Sequence, residues 1–202
     1  MKRKKVPEFR TDARKEKFRS VIEKRQPSLT IVLENVHDPH NVSAVLRSCD
    51  AVGVYDVHLV YNGGQVFPKL GEKSSASARK WLRINQYDNI EECYHELRKQ
   101  KKKIFTTRME AGSDALYDLN LVQPVALVFG NEHSGISDEA WQKADGNFII
   151  PQVGIIQSLN ISVACAVSLY EAFRQRFAAG MFSQSQFTLE EQEIVLREWL
   201  SK

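Results

Sequence analysis

The segment HDPHNVSAVLRSCDAVG, His37 to Gly53, passes from a polar loop into an amphipathic helix with one arginine, Arg47, beside its apolar stripe. A guanidinium keeps its protons near neutral pH and presents a planar fork of donors, so its chemistry is to grip a phosphate and to stabilise negative charge as it develops. On a solvated face the same side chain is only a surface arginine. Asn41 stands at the start of the helix, where an N-cap accounts for it. His37 and His40 flank Pro39 and carry the ring that titrates near neutrality, which suggests a general base; Pro39 between them suggests a rigid loop instead. Glu132 sits between Gly130 and Gly135 after an apolar run and reads as a loop acid or as an orienting partner for an arginine or the loop backbone. Ser158 and Asn160 suit the first turn of a long helix.

The common chemical signatures are absent. No G-x-G-x-x-G follows a strand, and G-x-x-x-x-G-K-[ST], H-E-x-x-H and G-x-S-x-G do not occur. Dinucleotide, P-loop, zinc-protease and hydrolase chemistries lose their support. Three polar loops remain, NVHDPHN, GNEHSG and PQVGIIQSLN, each following a strand-like run. Ligands in open α/β sheets collect beyond the carboxyl ends of strands, so these loops are expected to converge.

The elements that would position them alternate along the chain. LTIVLE (29–34), VHLVY (57–61), KKIFTT (102–107), PVALVFG (124–130) and NFIIP (147–151) read as strands, and their near-continuous apolar character predicts a mostly parallel sheet covered by helices on both faces. Val42, Val45, Leu46 and Cys49 recur at helical spacing, predicting a helix over 42–52 closed by Gly53. DNIEECYHELRKQ (88–100) is a second helix, with acids early and bases late. Leu159 to Phe177 is apolar almost all round before turning amphipathic, the pattern of a buried helix that emerges at the surface. Thr188 and Glu191 form a capping box for a last helix, 189–201, whose Ile194, Val195, Leu196 and Trp199 need a partner surface. Residues 9–25 read as a basic helix ending before Pro27.

At 202 residues the chain suits one domain with terminal attachments: a basic extension (1–26), a core (27–180) and a carboxyl-terminal extension (181–202). Residues 1–26 hold 11 Lys/Arg against 4 Asp/Glu, whereas the rest holds 17 against 21, a cationic arm on a mildly acidic body that fits a polyanion. GEKSSASARKW (71–81), with Lys73, Arg79 and Lys80, reads as an RNA-contacting loop or a solvated connection. Three distant cysteines without a C-x-x-C pair suggest neither a disulfide framework nor a zinc site, and point to a reducing cytoplasm. No signal peptide and no apolar span of about 18 residues is visible, so a membrane role is not expected.

From about Arg25 to Gly180 the chain resembles the SPOUT class of RNA methyltransferases, in particular the tRNA (guanosine-2′-O-)-methyltransferases acting at guanosine 18 of the D-loop. The resemblance is carried by RQPSLTIVLENVHDPHNVSAVLRSCDAVGV, LVFGNEHSGIS and IIPQVGIIQSLNISVACAVSLYEAFRQR. It implies an α/β sheet whose carboxyl end is threaded into a trefoil knot, S-adenosyl-L-methionine bound bent in the knotted loops, tRNA as substrate and a homodimer. Periodicity gives no sign of a knot, which chains generally avoid.

Position by position, the resemblance implies catalytic roles for Asn41, Arg47, Glu132, Ser158 and Asn160, and methyl-donor binding by Thr107, Gly130, Ile150 and Leu159, largely through backbone groups. No metal is implied. Asp38 departs from the pattern, since relatives commonly carry a base there, and an acid weakens local attraction for phosphate. Rival readings are the same chemistry on ribosomal RNA, a non-catalytic RNA-binding module of this fold, and an unrelated nucleotide-binding enzyme.

Overall fold

Runs of Val, Ile and Leu too short for helices and buried along their whole length form the centre of the molecule, as seen in a computed structural model that describes residues 8–62, 78–110 and 112–202. In chain order the elements are α1 (Glu8–Ile22), β1 (Leu29–Glu34), α2 (Pro39–Ala51), β2 (Asp56–Val60), β3 (Arg83–Tyr87), α3 (Ile90–Lys99), β4 (Lys103–Thr107), β5 (Asp114–Ala115), β6 (Val125–Phe129), α4 (Asp138–Gln142), β7 (Gly146–Ile149), α5 (Ile161–Ala178) and α6 (Leu189–Ser201). The seven strands pair in the order β3-β2-β1-β6-β4-β7-β5, every pair parallel.

The alternation of side chains along each strand divides the core in two. Leu29, Ile31 and Leu33 of β1 face α2 and α5, meeting Val42, Val45, Leu46, Cys165 and Leu169. Val32 points the other way, with Ala126 and Val128, towards Ile90, Cys93, Leu97 and Ala140 of α3 and α4. Helices therefore cover both faces, as the apolar strands require. Among the described residues no helix is long and apolar enough to cross a membrane.

Three elements escaped the sequence reading. RINQY forms β3, an edge strand paired on one side only and only partly buried, so it has no need of an apolar run. Two-residue β5 and five-residue α4 are too short for periodicity to register. Two expectations are corrected. Asp38, and not Asn41, caps α2, its carboxylate accepting from the His40 backbone N–H at 2.8 Å. And α5 is not buried all round: Val163, Tyr170 and Phe177, seven residues apart, form an exposed stripe.

The terminal helices pack on each other. Phe18 of α1 lies 5.1 Å from Trp81 and 5.6 Å from Trp199 of α6, and Val195 and Leu196 complete this third cluster. Ile194 stays exposed. The capping box holds, with the Thr188 hydroxyl accepting from the Glu191 N–H and the Glu191 carboxylate accepting from the Thr188 N–H. Buried Arg25 ties this end to the core by donating to the Val54 carbonyl at 2.9 Å and to Asp50, with its guanidinium 5.1 Å from the Trp199 ring centroid. All three cysteines are buried and free.

Candidate active site

The site grows from the carboxyl ends of β1, β6 and β7. After β1 the chain turns at Asn35, whose φ of 53° is left-handed, and enters α2 through Pro39. After β6, Gly130 allows residues 131–135 to fold back, because a Cβ there would lie 2.1 Å from the Gly135 carbonyl oxygen. Asn131 and Gly135 close this turn with two backbone hydrogen bonds of 3.0 and 2.9 Å. The Asn131 side chain accepts from the N–H groups of His133 and Ser134 and donates to the Asn35 carbonyl at 2.8 Å. Buried Glu34 accepts from the Ser137 N–H at 2.9 Å and from its hydroxyl at 2.6 Å. The loop after β6 is thus fastened to the loop after β1 by side chains that saturate each other's donors and acceptors.

The third loop joins through Asn160, which caps α5 by accepting from the Ser162 N–H at 2.8 Å. Its amide also donates to Asn41 Oδ1 at 3.2 Å, and Asn41 donates in turn to Glu132 Oε1 at 2.8 Å. One hydrogen-bonded line, Asn160 to Asn41 to Glu132, therefore spans three loops that lie 91 and 119 residues apart in sequence. The expected convergence is present.

Beside this line lies a cavity of about 1360 Å³, walled by Thr107–Glu110, by Phe129–Asp138 and by residues between Phe148 and Ala164. Thr107, Gly130, Glu132, Ile150, Ser158, Leu159 and Asn160 all line it. The Thr107 hydroxyl donates to the Val128 carbonyl at 3.0 Å, so that side chain is already engaged in structure. Apolar Ile150 and Leu159 offer surface to a flat ring, backed by buried Phe129 and Phe148. Among the described residues, Gln152 to Leu159 make no backbone-to-backbone hydrogen bond, so that, apart from the Gln157 carbonyl, which accepts from the Gln152 side chain, their N–H and C=O groups are open to a ligand. Those properties fit a nucleoside-like molecule held by main-chain groups.

Arg47 is not among the lining residues. It is exposed on α2 and makes no hydrogen bond or ion pair with any described residue. His37 and His40 are exposed too and do not line the cavity; the His37 ring rests 5.8 Å from Tyr61. Burial raises the Tyr61 pKa, and its hydroxyl donates to the Val36 carbonyl at 2.7 Å. Lys73 lies outside the described residues. Sequence reasoning missed Glu34, Asn131 and Ser137, the ties that hold the loops. Asn131 followed at short range by Gly135 is a turn signal that would have found one of them.

The SpoU rRNA methylase family matches residues 28–170. This chain belongs to that family. It is 41% identical over 193 residues to the tRNA (guanosine(18)-2′-O)-methyltransferase of Thermus thermophilus, a match covering 96% of this chain and 98% of the relative. Among solved structures, the TrmH/SpoU tRNA modifying enzyme of A. aeolicus superposes with a TM-score of 0.88 at 35% identity, over 94% of this chain and 96% of the other. An S-adenosylmethionine-bound rRNA methyltransferase from Sinorhizobium meliloti gives a TM-score of 0.64 at 26% identity, over 77% of this chain and 59% of its own. The region matched by the SpoU family contains all three converging loops and every residue of the line from Asn160 to Glu132.

Proposed function

We propose that this protein transfers a methyl group from S-adenosylmethionine to the ribose 2′-hydroxyl of a guanosine in the D-loop of tRNA. The observation that carries the reading is the line Asn160–Asn41–Glu132 at the rim of a cavity with unengaged backbone groups, in a chain that matches a guanosine-18 methyltransferase along almost its full length. The donor would be held by Thr107, Gly130, Ile150 and Leu159, and supplies an electrophilic sulfonium methyl.

Every remaining role belongs to this chain's own residues. A ribose hydroxyl is a poor nucleophile, and alignment alone is worth roughly 7–11 kcal/mol of such a barrier. Glu132, fixed by the Asn41 amide, orients the loop; Ser158, a free hydroxyl on the cavity wall, and Asn160 complete the rim. Arg47 forks onto the phosphate beside the reacting ribose and stabilises the charge that develops on the oxygen. Its lack of a partner among the described residues supports that role, because a guanidinium already saturated by carboxylates would have to be released first.

The chain acts as a homodimer with a trefoil knot at the carboxyl end of its core, 27–180. Support for the dimer comes from apolar surface that a lone chain leaves in water: Val153, Ile155 and Ile156 on the third loop, continued by Val163, Tyr170 and Phe177 along α5. The flanking segments, 1–26 and 181–202, grip the RNA backbone. Phe18 and Ile22 of α1 pack inward, while Lys17, Arg14, whose guanidinium lies over the Phe18 ring, and Lys24 just past the helix are exposed. A cytoplasmic setting is supported by three buried, free thiols.

Incubation of the purified protein with labelled donor and bulk tRNA, followed by mass mapping, tests the assignment. The expected product is a single ribose-methylated guanosine in the D-loop. A methyl group on a base, or labelling of ribosomal RNA with none on tRNA, would redirect it.

A further inference from the structure

Arg108 stands at the carboxyl end of β4 and belongs to none of the motif segments, yet its side chain crosses from one wall of the cavity to another. Its guanidinium carbon lies 4.8 Å from the centroid of the Trp141 ring on α4. Nη1 donates to the carboxylate of Asp138, the first residue of α4, at 2.6 Å, and Nε is 3.6 Å from Glu110. The backbone of the same residue is pinned separately. Asn147 of β7 donates to the Arg108 carbonyl at 2.7 Å and to the Ser113 hydroxyl at 2.6 Å. Arg108 to Glu110 form one wall, and the segment ending at Asp138 forms the facing one. A single side chain therefore fixes the spacing of two walls contributed by different loops.

The chemistry suits this task. A planar guanidinium lies over an indole and donates to a carboxylate at the same time, whereas an ammonium gives only the charge pair. The Asp138 carboxylate is 76% exposed, so the ion pair alone holds little. The stack on Trp141 gives the arrangement its direction.

We propose that Arg108 is a positioning residue of the methyl-donor site: by bracing the end of β4 against α4 it keeps the cavity at the width that donor binding requires, and it acts on binding rather than on methyl transfer. This rests on the reading of the cavity as the S-adenosylmethionine site. The brace touches no reacting atom. It also differs from an electrostatic contact, because a brace serves every ligand of the same shape, charged or neutral at sulfur.

Calorimetric titration of the full chain and its variants with S-adenosylmethionine and S-adenosylhomocysteine tests this, together with donor-dependent kinetics on tRNA. Arg108→Ala is expected to weaken both ligands by about tenfold, equivalent to about 1.4 kcal/mol, with kcat at saturating donor unchanged. Trp141→Leu should match it, and the double variant should be no weaker than either single one, since both break the same brace. Asp138→Asn leaves the core untouched and should weaken both ligands by a smaller factor, which guards against a Trp141 variant that fails to fold. Arg108→Lys should stay nearer to Arg108→Ala than to the parent. Parental affinity in Arg108→Ala, a loss confined to one of the two ligands, or a fall in kcat at constant KM would each overturn the proposal. A parent protein that binds neither ligand would remove the donor reading itself and the brace with it.

Discussion

Apart from buried Glu34, the two ends of the sheet treat polar side chains in opposite ways. At the amino ends of the strands they are sealed. Arg176 of α5 is fully buried and donates to the carbonyls of Leu121, Ser28 and Gln123, to the Ser28 hydroxyl and to Gln26. All these acceptors are neutral, and burial lowers its pKa to about 10. Arg25, Asp56 and Lys102 are buried nearby, Asp56 in an ion pair with Arg83 of β3. At the carboxyl ends Asn41, Glu132 and Asn160 meet in the open, and Arg47 has no partner among the described residues. The same guanidinium is structure where its donors are spent on carbonyls and is available for a ligand where they are not. Exposure and saturation, more than residue type, separate the two.

Exchanging the two kinds of arginine for neutral side chains should break the molecule in different ways. Arg176→Met takes the donor from the carbonyls of Leu121 and Gln123 and from the Ser28 hydroxyl, and is expected to cost about 3–5 kcal/mol of stability, measured as a shift in urea midpoint. Arg47→Ala should leave that midpoint within about 0.5 kcal/mol, while methylation falls by roughly 10² to 10³. If both variants lost stability alike, the distinction would fail.

His58 sharpens the comparison through pH. It is buried on β2, its Nδ1 3.1 Å from the Tyr87 hydroxyl and its Nε2 without a partner among the described residues. Desolvation, aided by Lys102, lowers its pKa to about 4. Above about 6.5 the ring is neutral in both folded and unfolded chains and contributes nothing to pH dependence. As pH falls from about 6.5 towards 4 the unfolded chain takes up a proton that the folded one refuses, so stability drops by up to about 3 kcal/mol. His58→Gln should lose measurably less stability between pH 7 and 4.5 than the parent. At the open end, Glu132→Gln keeps a carbonyl acceptor for Asn41, so a loss of about tenfold in methylation with no change in thermal midpoint is expected.

Much of the architecture was legible in the sequence because burial on both faces of a parallel sheet writes itself as unbroken Val/Ile/Leu runs. Edge strand β3 was not, since Arg83, Asn85 and Gln86 need only partial cover, and β5 is shorter than any period. The loops were legible as polar segments after strands, and their meeting follows from the parallel order. Spacing could not reveal which side chains join them: Asn41 to Glu132 and Asn160 to Asn41 are contacts made by the fold. Nor did charge patterning reveal Arg108, whose partners Asp138 and Trp141 come from a helix of five residues.

We propose that Arg47 governs the chemical step and neither folding nor donor binding. Single-turnover methylation of tRNA by Arg47→Lys, measured beside its affinity for S-adenosylmethionine, tests it most directly. The expected result is unchanged donor affinity and a loss of most of the rate, because a point charge does not reproduce the fork on phosphate. Near-parental turnover, or a rate loss matched by an equal loss of donor affinity, would contradict it.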